Sequence, residues 1–488
     1  MAAARTERAS PAQGDGRGPG ATRRPAWLRG VVEESAALAG GAIWYWLTPD
    51  RQLADWDYPS LKQRLTLEAW RFDNNTFATN YLWHAFGGTG FHVFGRSNDL
   101  GLWPSVVLGF ATSFAWEYLL EFREKVSVND VVVTTGAGVA CGEFAHWLGR
   151  YLNGSPRPNH PLRAAARWTL GLFHAVHRAM DGPPPAARPA RLDPLGFSAD
   201  IWHRFSIAYG VVRAGSDGVR GAGGPGPPVI AHQLRLEADL AALPGTFAPG
   251  RVRRSFSDGN LTRVRYLGTF DGEDVDTDFY ADTSLAGYQL QDIADDGTGR
   301  AASFGAGVAF AYRRERLGTF SDRLGLMHLP VLAYDDHVLG RDFRLSFSVR
   351  LAFDFAGVEA AAFPLWKERH PDAVEKTILR REGYYYAWGF SGRLSLELVL
   401  PLVAVGGGYF GGSYDSIEGL DRSQEEVTVD VEAADRIQDL QAWLRVGPML
   451  SVFFVEGRWA RELRASRVAE NRADQALERY SVEVRATF

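Results

Sequence analysis

Cysteine is nearly absent from this chain of 488 residues, which contains only Cys141. A single cysteine excludes an internal disulfide framework and any metal site built from several cysteines. A basic excess is also missing, because 53 basic residues face 58 acidic ones for a net charge of −5, so no nucleic-acid partner is expected. The hydrophobic share of 46% is too low for a protein made of many transmembrane helices.

Familiar catalytic motifs are missing as well. No H-E-x-x-H, G-x-S-x-G, phosphate-binding loop or dinucleotide fingerprint occurs in its required context. No basic segment followed directly by an apolar core is visible near the first residue, so an ordinary secretory signal peptide is not apparent. Residues 1–25 are mainly Ala, Arg, Gly and Pro without periodicity, and we predict a disordered tail there.

Apolar residues at helical spacing dominate residues 26–182, where we predict a domain of four to five helices. A glycine-rich run at 87–90 is expected to end one of them. In another, Thr134, Gly138 and Gly142 recur every four residues and form a small-residue face that allows close approach of a neighbouring helix. The predicted helices are Ala26 to Leu47, Leu65 to Phe86, Pro104 to about Arg123, Asp130 to Leu152, and Pro161 to Met180.

The proline-rich segment 183–198 is predicted to be a stiff linker and the domain boundary. Beyond it, residues 199–488 change to the two-residue period of strands. From Phe343 to Phe355, apolar residues alternate with polar ones such as Arg344 and Arg350. Long segments of this kind are typical of a transmembrane β-barrel, apolar toward lipid and polar toward the lumen. A soluble barrel or sandwich is the alternative.

The whole chain is therefore predicted to be a segregated α+β protein, with a helical domain followed by an antiparallel transmembrane barrel of twelve strands, or ten. The last strand, from Tyr480 to Phe488, ends on a phenylalanine and resembles the assembly signal of outer-membrane barrels, so the assembly machinery is an expected partner. We expect an outer-membrane location with the helical domain in the periplasm. Acidic interruptions at 292–299, 365–381 and 415–435 are predicted to be the longer exterior loops.

Three carboxylates mark the predicted third helix. Glu117, Glu121 and Glu124 lie at i, i+4 and i+7 and would share one helix face. Glu117 follows an uncharged run and is predicted to enter the interior, where a carboxylate must be paired, bind a cation or stay neutral. Such a group suits general acid or base catalysis. The structural alternative pairs Glu117 with an arginine or with His84, and leaves Glu121 and Glu124 in solvent.

The turn that follows fits a capping box, with Ser127 as the N-cap and Asp130 three residues on. Capping does not explain why Ser127, Asn129 and Asp130 face the acidic end of the preceding helix. Like charges brought together need a cation, a proton or a basic substrate between them.

Histidines supply the remaining candidates. Asn80 and His84 are predicted to share a helix face, although a lone helical histidine is more often a structural residue. Glu143 and His146 lie three residues apart, a spacing that could bind a metal. A divalent cation is therefore a candidate cofactor, with these two residues as its ligands.

The same residues resemble a family of outer-membrane proteins known only as a domain of unknown function, whose members have a helical domain followed by a barrel. More distantly, the Glu-rich helix, the Ser-x-x-Asp turn and the Gly-x3-Gly helix look like VanZ and YfiM proteins, which are grouped with the Wnt-like lipocone superfamily. That likeness implies a helical cone at a membrane surface that acts on phosphate-bearing lipid head groups. The matching residues are Asn80, His84, Trp116, Glu117, Glu121, Glu124, Ser127, Asn129, Asp130, Thr135, Gly138, Gly142 and Glu143.

We therefore predict an outer-membrane protein whose helical domain binds and modifies phosphate-bearing lipid or glycan-lipid head groups, by acid/base-assisted transfer or hydrolysis. The alternative is a non-catalytic envelope protein, a barrel plugged or capped by a helical lipid-binding domain. Membrane lipid is the expected partner in both. The catalytic candidates are Glu117, Asp130 and His84. The substrate-binding candidates are Asn80, Glu121, Ser127, Asn129, Thr135 and Glu143.

Overall fold

A computed structural model describes most of the chain. It covers residues 24–47, 59–72, 75–154, 160–182, 193, 196–197, 200–220, 228–272, 274–317, 320–370, 383–417, 431–447 and 452–488. The predicted tail at 1–25 and the predicted linker at 183–198 lie largely outside these residues.

The N-terminal part is helical, as predicted. A π-helical turn, Ala78–Trp83, leads into α3, and a second, Trp116–Leu120, extends α4. None of the described helices is both long enough and apolar enough to cross a membrane. The helices are α1 Trp27–Leu47, α2 Leu61–Leu65, α3 His84–Ser97, α4 Leu102–Ala115, α5 Val128–Asn153, α6 Pro161–Thr169, α7 Leu172–Asp181 and, within the barrel sequence, α8 Ala362–Arg369.

The C-terminal part is a closed antiparallel barrel, and the predicted fold class is confirmed. Two short strands in the helical part, β1 Trp70–Arg71 and β2 Val126–Ser127, pair with each other. The barrel sequence contributes β3 Trp202–Arg220, β4 Val229–Ala241, β5 Gly250–Phe256, β6 Leu261–Phe270, β7 Val275–Ile293, β8 Gly299–Leu317, β9 Phe320–Leu339, β10 Arg344–Glu359, β11 Tyr385–Val399, β12 Val403–Ser416, β13 Ala433–Val446, β14 Phe453–Val468 and β15 Asn471–Thr487. In the described part of the chain, twelve of these close the barrel, while β5 pairs with the far end of β7 beside β6.

The two ends of the barrel differ. Phe488 pairs with Phe205 at the end where β3 begins, which we call the terminal end. The longest connections, from β10 to β11 and from β12 to β13, lie at the opposite end, which we call the loop end. The acidic stretch 292–299 was predicted as an exterior loop beside these two, and that prediction is wrong. It forms a tight turn at the terminal end, since Ile293 pairs directly with Gly299.

Side chains alternate between the lumen and the outside, as the sequence pattern predicts. In β10, Leu351 points outward and is 56% exposed, whereas Arg350 is buried in the lumen. Arg350 forms ion pairs with Asp282 of β7 and Asp335 of β9, at 3.0 and 2.9 Å. Arginine–carboxylate pairs of this kind line the lumen, because a buried charge must be paired.

The lumen is closed at the loop end by α8. This helix follows β10 directly and reaches across the lumen to β14 and β15. The backbone N–H of Ala362 donates to Ser466 Oγ at 3.1 Å, and Arg369 donates to Asn471 Oδ1 at 2.6 Å. Phe363 and Trp366 lie buried among inward-facing residues of the surrounding strands. An apolar plug therefore belongs to the barrel itself.

The N-terminal helices pack against the outside of the barrel wall. The ring of Tyr81 lies over Gly325 and Gly357, where a Cβ atom would overlap it. Phe72 packs against Tyr386 and Phe355, with ring centroids 4.9 and 5.8 Å apart. Phe355 shares its strand face with the exposed Leu351, so this is the outward face. We call α1, α3, α4 and α5 the helical layer. This layer is docked directly on the outside of the barrel wall.

Candidate functional site

One histidine bridges the first turns of α3 and α5. His84 Nε2 lies 3.3 Å from Asp130 Oδ1, and His84 Nδ1 lies 3.1 Å from Thr134 Oγ1. The same Oδ1 accepts a hydrogen bond from Asn129 Nδ2 at 2.7 Å. The Asp130 side chain is 2% exposed and that of His84 is 18% exposed. We call His84, Asn129, Asp130 and Thr134 the His84 cluster.

The cluster exists because α3 and α5 cross at very short distance. A Cβ atom at Gly88 would overlap the carbonyl group of Thr134, and one at Gly138 would lie 2.6 Å from the carbonyl oxygen of Gly88. The predicted small-residue face is confirmed, since Gly142 likewise has His92 against it. The predicted break at 87–90 is wrong, because α3 continues through it. These glycines permit contact between helices and do not end one.

Asn80 lies one turn before His84 but is turned toward the barrel. Its Nδ2 donates to the hydroxyl oxygens of Tyr384 and Tyr386, both at 2.8 Å. Asn80 is fully buried, and Tyr384 also donates to the backbone carbonyl of Asn75. Asn80 therefore ties the segment that leads into α3 to the barrel wall.

Glu117 belongs to a separate, buried set of contacts. Its Oε2 accepts from the backbone N–H of Ser127 at 3.3 Å. Arg64 donates to the backbone carbonyls of Glu117 and Glu121 at 3.2 and 2.9 Å, and also to that of Glu124. These bonds fix the loop between α4 and α5.

Two predictions about this loop are wrong. Glu117, Glu121 and Glu124 do not share a helix, because the π-helical turn after α4 ends at Leu120. Glu124 does not meet solvent: it is 5% exposed, accepts from Tyr45 Oη at 2.9 Å, and lies 4.0 Å from Arg71 Nη2. Sequence spacing alone could not reveal that partners distant in the chain close over this loop.

The predicted capping box is also wrong. Ser127 occupies the N-cap position of α5 with an extended backbone, but its side chain makes no cap hydrogen bond in the described structure. Asp130 instead directs its carboxylate to His84 and Asn129. Asp130 therefore belongs to the candidate site, whereas Ser127 takes part through its backbone N–H, which donates to Glu117.

Glu143 lies in a second histidine–carboxylate pair between the same two helices. Its Oε1 is 2.6 Å from His92 Nε2 and 2.7 Å from Arg96 Nε. Arg96 also pairs with Asp258 at 3.0 Å, in the connection between β5 and β6. The side chain of His92 is 3% exposed and that of Glu143 is 0% exposed. This His92 cluster ties the helical layer to the barrel.

Two other predicted ligands stand apart. Thr135 Oγ1 is buried and makes no hydrogen bond within the described structure, and Glu121 is half-buried. His146, paired in the prediction with Glu143, lies against His174 at 3.1 Å. In the part of the chain that is described, no group of three or more His, Cys, Asp or Glu residues could hold a metal ion.

Sequence reasoning missed Thr134 as a site residue, assigning it only to the small-residue face. Its position four residues after Asp130 puts both on one face of α5, and that spacing was the available signal. Tyr384 and Tyr386 were missed as well. Their contact with Asn80 joins residues about three hundred positions apart, which no local pattern encodes.

In the comparison with known proteins, one family model matches a segment of the helical part. Residues 69–171 match a family described as a domain of unknown function, DUF3943. This segment contains the His84 cluster and the His92 pair with Glu143. The chain beyond it is not covered by that match, and among curated proteins none matches the sequence.

Several solved barrels show a weak likeness. Pseudomonas aeruginosa OccK2 (OpdF) is 10% identical, with 59% of this chain and 98% of that chain covered and a TM-score of 0.20. The CymD monoaromatic hydrocarbon channel is 10% identical, with 59% and 88% covered and a TM-score of 0.22. An outer membrane channel from Pseudomonas putida F1 is 8% identical, with 63% and 99% covered and a TM-score of 0.23. Scores this low carry no functional argument.

Proposed function

We propose that this protein is an outer-membrane β-barrel whose helical layer binds membrane lipid and acts on its polar head group. The reaction is acid/base-assisted transfer or hydrolysis, centred on His84 and Asp130. The observation that carries this proposal is the partly exposed imidazole of His84, held between a carboxylate and a hydroxyl group.

The membrane location is supported by the outer surface of the barrel. Phe390, Val482 and Leu351 point outward and are 69%, 59% and 56% exposed. A closed barrel pairs the backbone of every wall strand, which is what a strand surrounded by lipid requires. Polar residues lie inside, so the wall has the polarity expected of a transmembrane barrel.

The contacts of His84 assign its protonation. An ionised carboxylate only accepts hydrogen bonds, so the proton of a neutral imidazole lies on Nε2, facing Asp130. Nδ1 is then the acceptor and faces the hydroxyl group of Thr134. A hydroxyl, an imidazole and a carboxylate in this order form the arrangement by which a histidine takes a proton from an attacking hydroxyl group or water.

The roles divide accordingly. His84 accepts the proton of the attacking hydroxyl group or water at Nδ1, and Asp130 stabilises the imidazolium ion that forms. The imidazolium ion then returns the proton to the leaving group. Asn129 orients Asp130 through the hydrogen bond to Oδ1. Asn80 anchors the start of α3 to the barrel. Glu117 and Glu143, predicted as catalytic and substrate-binding residues, are instead proposed to hold the scaffold.

Two separate arguments favour this class of substrate. The exposed apolar residues beside the cluster, Trp83 at 63% and Phe86 at 74%, favour a lipid over a water-soluble substrate. The phosphate in the head group comes from the resemblance to VanZ and YfiM proteins. Phosphoryl and acyl groups both need a proton acceptor for the attacking hydroxyl group, so His84 serves either chemistry.

The proposal is tested by reconstituting the protein in phosphatidylethanolamine–phosphatidylglycerol vesicles, with and without lipopolysaccharide, and measuring released or altered head groups by mass spectrometry. Asp130→Asn and His84→Asn are expected to lower turnover about 100-fold, the usual loss on removing a positioned acid or base. His232→Asn, at an exposed position on the barrel, is the matched control and should keep the wild-type rate. Absence of turnover by the wild type, or equal rates in all four proteins, would refute the proposal.

The rival function is a non-catalytic barrel, plugged or capped by the helical domain. The structure changes this reading in one respect, because α8 closes the lumen at the loop end and the helical layer lies outside the barrel. On that reading, deleting residues 361–369 should raise conductance in planar bilayers, whereas deleting residues 26–182 should not open the lumen. Co-purified lipid without turnover would favour this rival over the enzyme.

A further inference from the structure

The outer face of the helical layer is an apolar surface with no protein over it in the described structure. On α4, Trp103, Val107 and Phe110 are 54%, 64% and 46% exposed. On α1, Val32 and Ile43 are 56% and 61% exposed. Contiguous apolar surfaces of this kind mark sites of protein or membrane interaction.

The position of α5 places this layer along the height of the barrel. Near the loop end, Gly136 lies against the side chain of Met327. Farther along, Thr283 donates to the carbonyl of Ala140 at 3.1 Å. Toward the terminal end, Trp147 Nε1 donates to the carbonyl of Gly259 at 2.8 Å. Its 26 residues rise about 1.5 Å each, or about 39 Å in all. The hydrocarbon part of a bilayer is only about 30 Å thick.

Helix α4, which packs against α5, spans the same range of heights along the barrel. The backbone N–H of Leu102, at the start of α4, donates to Asp258 between β5 and β6, and Glu117, just beyond α4, bonds to Ser127 at the start of α5. Val107 therefore lies between the two ends of the barrel. Its exposure of 64% is close to the 69% of Phe390 on the bare wall.

We infer that lipid acyl chains cover this face, and that the helical layer lies in the membrane beside the barrel wall. This inference rests on the membrane location proposed above and names the partner of the same domain. The occupant is argued from continuity, because the apolar face continues the outward band of the barrel at the same height. If lipid surrounds the barrel wall, helices that pack on the wall at the same height also face lipid and not water.

This placement gives the His84 cluster a lipid neighbour. His84 lies one helical turn after Asn80, which bonds to Tyr384 and Tyr386. These two tyrosines lie where β11 begins, at the loop end of the barrel. The cluster therefore lies toward one edge of the lipid band, where head groups occur, and not at its centre. Longer loops usually face the exterior in bacterial barrels, so the head groups in reach are those of the outer leaflet.

A quenching experiment tests the inference in the full chain. In a Cys141→Ala background, a fluorescent thiol label is placed by Val107→Cys on the layer, by Phe390→Cys on the bare wall, or by Asp295→Cys in an exposed turn at the terminal end. Each protein is reconstituted in phosphatidylcholine vesicles with and without lipids that carry a nitroxide on the acyl chain. We expect the labels at 107 and 390 to lose most of their fluorescence, and the label at 295 to keep it.

The outcomes distinguish this inference from the proposed membrane location on which it rests. If the label at 390 is quenched and the label at 107 is not, the barrel lies in the membrane but acyl chains do not cover the layer. A second copy or another protein then covers it, and the inference fails. If neither label is quenched, the membrane location itself fails. A Phe110→Cys label, one turn farther along α4, must agree with Val107→Cys and guards against local misfolding.

Discussion

Two histidine–carboxylate pairs join α3 to α5, and they differ in what surrounds them. In the His92 cluster, Glu143 is completely buried and is held by both His92 and Arg96, with Asp258 of the barrel beyond. In the His84 cluster, the imidazole is 18% exposed, and its second nitrogen faces the hydroxyl group of Thr134. A similar pair of side chains thus serves as a structural tie in one place and offers a reactive nitrogen near the surface in the other.

The comparison teaches that residue type and spacing do not distinguish the two roles. Both pairs take a histidine from α3 and a carboxylate from α5, and both carboxylates, Asp130 and Glu143, were candidate site residues in the sequence. In the His92 cluster, Arg96 forms an ion pair with the carboxylate of Glu143. In the His84 cluster, the imidazole is partly exposed and contacts the hydroxyl group of Thr134. The following variants test that distinction.

The largest loss of stability is expected from Glu143→Gln. It removes one of the two carboxylates that pair with the buried Arg96, and breaking a buried ion pair from one side costs up to about 3–5 kcal/mol. Thermal unfolding of the helical layer in detergent, followed by the helical circular dichroism signal, should show a much lower midpoint. Asp130→Asn is the matched change in the other pair and should shift the midpoint far less. Equal shifts would mean that both pairs are structural ties.

A smaller loss is expected from Gly88→Ala. The added methyl group overlaps the carbonyl of Thr134 at the crossing of α3 and α5, and overpacking of this kind costs about 1–3 kcal/mol. Gly87→Ala is the control, because nothing lies within 4 Å of the place that its added methyl group would occupy. The same unfolding measurement should show a lower midpoint for the first and an unchanged or slightly higher one for the second. A harmless Gly88→Ala would contradict the close helix crossing.

The smallest effect is expected from Thr134→Val, which keeps the shape of the side chain and removes the hydroxyl group. Losing one hydrogen bond to His84 corresponds to about 1 kcal/mol, or roughly a fivefold drop in turnover. Thr134→Ser should restore the rate. If Thr134→Val instead falls to background while Thr134→Ser does not, Thr134 is itself the nucleophile and not only a partner that positions His84.

Much of the barrel could be predicted from the sequence, because polarity alternates strictly where one face meets water and the other meets an apolar medium. The segment from Phe343 to Phe355 is read correctly for this reason. The same pattern cannot say what the apolar medium is. Phe355 faces Phe72 of the helical part, whereas Leu351 on the same strand face is exposed. Nothing local distinguishes an apolar side chain that meets a helix from one that meets lipid.

The candidate site was predicted in part. Asp130 and His84 were both singled out as catalytic candidates together with Glu117, but their direct pairing was not predicted. Their direct contact depends on a helix crossing at Gly88, in a glycine run that local propensity assigns to a break. Glu124 was misplaced because burial by Arg71 and Tyr45 comes from segments far away in the chain. Tertiary contacts of this kind override local helical spacing.

The most direct test of the account is lipid head-group turnover per folded molecule, measured side by side in Asp130→Asn and Glu143→Gln. The folded fraction is taken from the helical circular dichroism signal of the same samples. The account predicts that Asp130→Asn stays folded and loses about 100-fold in turnover. It predicts that Glu143→Gln loses folded protein, while the folded remainder works at the wild-type rate. The contrary result is equal turnover per folded molecule in the two variants, whether lost in both or retained in both.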